Sequence, residues 1–443
     1  MKKEISRELG KFVSKVGPQD LPRSVFTQSL FGITDGIAVM LAGCRQFGSS
    51  IAQILDALGG RPVATVIGLG YQTSAPLAAW SNGILSHLLD YDDLSLSMGG
   101  HPTGPVLSAA LAAAEEIDAD GKSLITAYAA GIEVMTKIGS ALFDRLYTSG
   151  WHPTSVLGAF GACAAASNIW KLTPDQTATA LAMVASAAGG IKKNFGTMTK
   201  ALHVGNAAYN GVLCAMLARR GWTAQLSALE GPKGLFDLIC GKSSLEDHEL
   251  IHRLGNPWDI EEPGIFLKKY PCCGSIHPAL DALFQISELP RPGKIERIHC
   301  KIHPDKSHIL SEKTPRSGLE AKFNLRYCLA SAIIRTAVSL DHFSDAAVSD
   351  PEVLSLMERI EIIPDESVGL WGSEITIECK EGRIVTGVCH KLGGIFDKMT
   401  LLRKLEDCAT SILGQEKTER LKYALQNLAD LPSVRDLMEK TVS

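Results

Sequence analysis

The 443-residue chain has no strong excess of charge of either sign: 44 Lys and Arg stand against 48 Asp and Glu, a formal net charge of −4. That balance excludes a surface dedicated to nucleic acid or to an anionic membrane, while leaving room for a local basic pocket. No uncharged apolar run reaches the roughly 18 residues that span a bilayer. Met1 to Gly17 mixes charges with apolar residues and lacks the apolar core of a secretory signal. There is no Cys-x-x-Cys. The eleven cysteines are odd in number, and Cys163, Cys214 and Cys328 fall in apolar helical stretches, so reduced thiols in a cytoplasmic protein are expected. Gly68-x-Gly70 lacks the third glycine of a dinucleotide fingerprint. Gly121-Lys122-Ser123 and Gly241-Lys242-Ser243 imitate a P-loop, but Glu116 and Phe236 stand where its first glycine belongs. His299, His303 and His308 have ligand-like spacing on a predicted strand and loop, where solvated or core histidines are the better reading. A zinc site at the vicinal pair Cys272-Cys273 would need two further ligands, and only His277 is near. No metal and no cofactor is expected.

What is present is a chain of 45% hydrophobic residues, enough for a sizeable core in two or three domains, or one domain with an insertion. From Ile5 to Arg253 the pattern is helical and dense in Ala and Gly, with no strand alternation long enough to compete. Thr173-Pro174-Asp175-Gln176 carries a capping-box signature. Near Gly255-Asn256-Pro257 the texture changes. Ile295 to His303 alternates with one slip, Ile360 to Ile363 reads as a strand, and Glu374 to His390 as a hairpin turning at Glu381-Gly382-Arg383. Helices are predicted over Ala321 to Val338 and Pro351 to Arg359, and again after Gly394. The expected fold is mainly α: a large all-helical domain (1–255 and 396–443) with a smaller α+β lid domain (256–395) inserted.

Five segments carry candidate chemistry. The first runs Asn82-Gly83-x-x-x-His87-x-x-Asp90-Tyr91-Asp92-Asp93 and leads into Gly99-Gly100-His101-Pro102-Thr103-Gly104. The second, Gly150-Trp151-His152-Pro153-Thr154, repeats the His-Pro-Thr element at another helix start, where free N–H groups suit a carboxylate. In the third, Thr199-Lys200-Ala201-Leu202-His203-Val204-Gly205, a lysine opens a small-residue helix and can bind a carboxylate or act as a base. The fourth is Lys268-Lys269-Tyr270-Pro271-Cys272-Cys273 with His277-Pro278. The fifth is Glu320-Ala321-Lys322-Phe323-Asn324 with Tyr327-Cys328. Taken singly, each is compatible with a structural role.

Together, in order and rough spacing, these segments resemble the MmgE/PrpD family, whose pattern runs His-Ala-Leu-Asp-Tyr-Asp-Asp, His-Pro-Thr/Ser-Gly, a second Gly-x-His-Pro-Thr, Thr-Lys-x-x-His-x-Gly, Lys-x-Tyr-Pro and Glu-Ala-Lys-Phe. Its members include 2-methylcitrate dehydratase, cis-aconitate decarboxylase and iminodisuccinate epimerase. The resemblance implies a homodimer with a cofactor-free active site between two domains, and proton transfer at a carbon next to a carboxylate. Carried onto this chain, it implies a pocket containing Asp90, His101, His152, Lys200, Lys268 and Tyr327. Lys200, Lys268 and the two His-Pro-Thr starts would neutralise a di- or tricarboxylate and stabilise charge developing on it. A histidine would serve as base or acid, with Asp90 orienting His101 and Tyr327 returning a proton or holding a carboxylate. Cys273 stands where similar decarboxylases carry a histidine, and a thiol there can also move a proton. Leu94 stands at a position where they carry threonine. A hydro-lyase of the 2-methylcitrate dehydratase kind is the leading expectation. An epimerase of an iminodisuccinate-like dicarboxylate and a cis-aconitate decarboxylase are the siblings. A carboxylate-binding scaffold without turnover and a metal-dependent hydrolase using His299, His303, Cys272 and Cys273 are the remaining alternatives. No nucleic-acid or membrane partner is expected.

Overall fold

Alanine and glycine set how the first 220 residues pack. In the computed structural model, which describes residues 4–240, 253–307, 309–394 and 397–442, they form eight long helices. These are α1 (Ile5–Lys15), α2 (Arg23–Leu58), α3 (Ala75–His87), α4 (Thr103–Ile117), α5 (Gly121–Thr148), α6 (Pro153–Ile169), α7 (Pro174–Ala187) and α8 (Thr199–Arg219). Every residue of α6 is buried, and α1, α4, α5, α7 and α8 pack around it. The capping box of α7 is present: Gln176 N–H donates to Thr173 Oγ1 at 3.2 Å, and Thr173 N–H to Gln176 Oε1 at 3.0 Å. Small residues let α3 and α8 nearly touch. A Cβ on Gly83 would lie 3.0 Å from Gly205 Cα, and one on Gly205 would lie 2.6 Å from the Trp80 carbonyl oxygen.

The helical part is not strand-free. Residues Ala64–Val66 (β1) pair antiparallel with Tyr71–Thr73 (β2), and Leu94–Ser95 (β3) with Ile265–Phe266 (β4). Strands of two or three residues are too short to leave an alternation in the sequence. Helix α2 is long and apolar enough to cross a membrane by length and composition alone, but 72% of that window is buried within the protein. Midway along it, buried Asp35 is paired with Lys404 at 2.6 Å.

Residues 268–395 build the α+β part. Here α9 (His277–Phe284), α10 (Leu325–Arg335) and α11 (Pro351–Met357) accompany a four-stranded sheet. Its strands are β5 (Ile295–Ile302), β6 (Ile360–Pro364), β7 (Ser373–Cys379) and β8 (Ile384–Cys389), in the order β6-β5-β7-β8. Strand β5 is parallel to β6, and the other pairs are antiparallel. The slip in the β5 pattern is a register shift between Ile295 and Arg297. The helix predicted over Ala321 to Val338 is shorter than expected, because Asn324 Oδ1 accepts from Tyr327 N–H at 2.8 Å and caps a new start. After residue 396 the chain forms α12 (Lys398–Gln426), kinked at Gly414.

The chain packs as two units. One comprises Met1–Leu88, Asp92–Leu267 and Phe396–Ser443, the other Leu89–Tyr91 and Lys268–Ile395. The division falls at 267 rather than at 255, because the intervening stretch is tied to α5. Glu133 accepts from Gly255 N–H at 2.7 Å and from Asp259 N–H at 2.8 Å, and Lys137 donates to the Pro257 carbonyl at 2.9 Å. The ten cysteines whose side chains are described are free and buried. Gly241-Lys242-Ser243 and His308 lie outside the described residues.

Alanine at Gly205 sets a methyl against the Trp80 carbonyl and is expected to lower stability by about 1–3 kcal/mol, read from urea unfolding midpoints. Alanine at Gly189, where a Cβ meets nothing within 4 Å, should shift the midpoint far less.

Candidate active site

Three helix ends converge in the first unit. His87 closes α3, His101 precedes Pro102 and the start of α4, and His152 is the N-cap of α6. Lys200 and His203 sit on the first turns of α8, three residues apart and so on one face. The ring centroids of His87 and His101 are 4.6 Å apart, those of His87 and His152 5.7 Å, and those of His152 and His203 5.3 Å. The Phe195 ring packs edge-on against His152 at 4.9 Å, with Lys200 Nζ 5.3 Å from that ring's centroid. All four imidazoles and Lys200 are buried.

The threonines of the two His-Pro-Thr elements explain the repeat. His101 N–H donates to Thr154 Oγ1 at 3.0 Å, which joins one element to the other. Thr103 binds Asp93 twice, through N–H to Oδ1 at 3.2 Å and through Oγ1 to Oδ2 at 2.6 Å, and its hydroxyl is 2.6 Å from that of Tyr128. Burial pushes the Asp93 carboxyl up to about 8, against the pull of Thr103, with Asp92 and Asp35 adding to the rise. Burial likewise raises the Tyr128 hydroxyl well above its ordinary value.

Tutoring of the histidines falls to the neighbouring aspartates. Asp92 Oδ2 lies 2.7 Å from His87 Nδ1, and Asp92 Oδ1 lies 3.4 Å from His101 Nδ1. His101 Nδ1 is also 2.7 Å from the Asp93 carbonyl oxygen. A carbonyl only accepts, so Nδ1 of His101 carries the proton and, in the neutral ring, Nε2 holds the lone pair of a base. The Asp93 carbonyl thus orients the His101 ring, with Asp92 beside it. Nδ1 of His152 and Nδ1 of His203 are 3.1 Å apart, so one donates while the other accepts and the pair shares one proton. Burial, then the charges of His87, Lys200, His101 and His203, push His152 well below the usual imidazole value. His203 is lowered by burial, then by His87 and Lys200.

The other expected site residues lie in the second unit. Asp90 adopts φ of 51°, in the left-handed region that Asp tolerates. Lys268 Nζ donates to its carbonyl at 2.8 Å and to its Oδ2 at 3.1 Å, so this lysine is ion-paired within the protein. Cys273 N–H donates to the Lys322 carbonyl at 3.0 Å, while Lys322 Nζ donates to the Pro271 carbonyl at 2.7 Å, which clamps the Pro271–Cys273 turn from both ends. Burial lowers Lys322 to about 8 and raises Cys272 well above its ordinary value, with Cys328 adding to the rise. Tyr327 is a core residue whose hydroxyl donates to the His342 carbonyl.

Thus His101, His152 and Lys200 come together in one unit, and Asp90 and Lys268 pair in the other. His87, Asp92, Asp93 and His203 fall within the first and third segments, but no role was assigned to them from the sequence. The available signals were the spacing of three between Lys200 and His203, and the run of carboxylates following His87. Among the described residues the group with metal-ligand spacing is His87, Asp92 and His101, whose ligand atoms lie within 4.8 Å of one another. Within it His87 Nδ1 pairs with Asp92 Oδ2, and His101 Nδ1 with the Asp93 carbonyl, which is the arrangement of an oriented acid–base cluster. His299 pairs instead with Glu361 at 3.3 Å and Glu378 at 3.5 Å on the sheet, and His303 faces Asp305 at 3.8 Å.

The MmgE/PrpD N-terminal domain matches residues 7–248 and the MmgE/PrpD C-terminal domain residues 270–430. The chain belongs to the MmgE/PrpD family. Within this family it is similar to the cis-aconitate decarboxylase of Aspergillus terreus, at 26% identity over 99% of this chain and 96% of the fungal one. It is 28% identical to the cis-aconitate decarboxylase of Homo sapiens, over 80% of this chain and 76% of the human one. The mouse protein of that name matches at 28% over 83% of the chain and 80% of its own length.

His277 gives a check on the acid limb of stability. Burial, then Lys268, lowers it to about 3 from 6.5, and its Nε2 lies 3.1 Å from the Tyr270 carbonyl. Its folded value is depressed, so the stability tied to its neutral form is present above about 6.5 and lost as pH falls toward 3, where the unfolded chain takes a proton that the native ring refuses. His277→Gln should flatten the fall in urea midpoint between pH 7 and pH 4.

Proposed function

We propose that this protein is a lyase acting on a small di- or tricarboxylate, moving a proton at a carbon next to a carboxylate with its own side chains and no cofactor. The observation that carries this reading is the buried cluster of His87, His101, His152 and His203 beside Lys200, with His101 fixed in the tautomer that leaves Nε2 basic. Lys200 and the positive starts of α4 and α6 attract an acidic substrate. Removing its α-proton places negative charge on the adjacent carboxylate, and the same fixed groups stabilise that charge without rearranging. The names of the relatives favour loss of carbon dioxide from a cis-aconitate-like acid. The 2-methylcitrate dehydratase-like hydro-lyase, or an epimerase, is the second reading, favoured by Cys273 standing where similar decarboxylases carry a histidine. The same proposal takes the working form to be a cytoplasmic homodimer.

Purified protein incubated in deuterated water with cis-aconitate, 2-methylcitrate and iminodisuccinate, and followed by NMR, is expected to convert one of them. Deuterium should appear at a carbon α to a carboxylate, and the product tells the siblings apart. No conversion and no deuterium in any di- or tricarboxylate supplied would overturn the reading, and binding unaffected by Lys200→Ala would favour a scaffold. His152→Gln and Lys200→Met should each lower kcat by about a hundredfold or more. Chelator treatment should leave the rate unchanged, and stoichiometric zinc with loss of activity on its removal would revive the metal reading.

A further inference from the structure

The buried cluster raises a question of supply. Decarboxylation replaces a carbon–carboxylate bond by a carbon–hydrogen bond, so each turnover takes a proton from solvent. Dehydration and epimerisation also need their acid and base reset. His152 is 2% exposed and enclosed by other side chains. Its ring is hydrogen-bonded to that of His203, and His203 lines a cavity of about 200 Å³ in the same unit.

We infer that His203 and this cavity form a proton path linking buried His152 to water. The cavity lies between the starts of α6 and α8 and the end of α7, with Ser155, Asn206, Asn210, Gly189 and Gly190 in its wall. Two amides, a hydroxyl and an imidazole supply the polar partners that water needs, and the volume holds several molecules at about 30 Å³ each. Asn206 is exposed, which opens the wall toward solvent. The backbones of the two histidines are tied to the same wall: Ser155 Oγ donates to the His203 backbone carbonyl at 3.1 Å, and His152 N–H donates to the Gly190 carbonyl at 2.9 Å. The titratable groups facing His203 are His152 at the start of α6, His87 from α3 and Lys200 on its own helix. All disfavour a lasting second positive charge, so both imidazoles rest neutral and take a proton in passing.

In the outward direction, a proton arrives on His152 Nε2 and the Nδ1 proton passes across the 3.1 Å contact to His203 Nδ1. His203 then releases its Nε2 proton to a cavity water. One proton has crossed, and no bond other than N–H or O–H has changed. The inward direction is the reverse. His203 acts through His152 and is a positioning and relay residue rather than a group touching substrate.

The inference rests on the proposed acid–base function, and its test is built to fail separately. In ¹⁵N-histidine-labelled protein, exchange of the His152 ring proton with water is read by NMR. It is expected to slow about tenfold or more in His203→Ala, and likewise in Gly189→Leu, which fills the cavity from a position where a Cβ meets nothing within 4 Å. With a converted substrate, His203→Ala should lose about tenfold or more in kcat with KM within about twofold, and added imidazole should restore part of it. Unchanged exchange in both variants, or a raised KM with kcat intact, overturns the path. If His203→Ala does not fold, Gly189→Leu alone carries the exchange test. Slowed exchange with no carboxylate converted would leave the path standing and remove the proposed function.

Discussion

Four imidazoles can share one place only if the helices bearing them approach more closely than ordinary side chains allow. The contact of Gly83 with Gly205 between α3 and α8 meets this requirement, and α6, buried along its whole length, supplies the small-residue surface on which α8 packs. His87, His152, Lys200 and His203 are then carried inward by helix ends rather than by flexible loops. Bringing imidazoles and an ammonium together is costly in itself, since each opposes charge on the others. Helix packing supplies the apolar burial that offsets this cost.

The electrostatics follow from that burial. Asp92 lies between two imidazoles, and Asp93 contributes its backbone carbonyl to His101 while its carboxyl is bound by Thr103. The result is a layered arrangement. The buried Asp93 carboxyl is raised and hydrogen-bonded, Asp92 pairs with the His87 ring, and burial holds His152 and His203 below the usual imidazole value. Such an environment keeps proton carriers near the point of transfer without fixing charge in advance.

Motif matching names segments, but not how their members pair. Asp90 stands in the same run as Asp92 and Asp93, and a pattern cannot say which carboxylate faces which imidazole. A single left-handed residue decides that, since Asp90 at φ of 51° turns its group to Lys268. Lys268 looked like a free cation because a sequence shows a charge but not its partner. Tyr327, in a strong motif, is core: its hydroxyl meets a backbone carbonyl 15 residues on. His203 sat in plain view within the lysine motif, yet its meaning depends on the 3.1 Å contact with a residue 51 positions earlier.

By itself the sequence determined the helical first half, the caps, the β5 to β8 strands with their slip, and the family to which the chain belongs. These are written in local propensity, period and motif order, which act over a few residues at a time. Only the tertiary structure decided that β3 and β4 pair across about 170 residues, that residues 256–267 pack with the helices, and which side chains form the cluster. Those outcomes depend on burial, close backbone approach and the pairing of charges distant in sequence, and none of these leaves a local pattern to read.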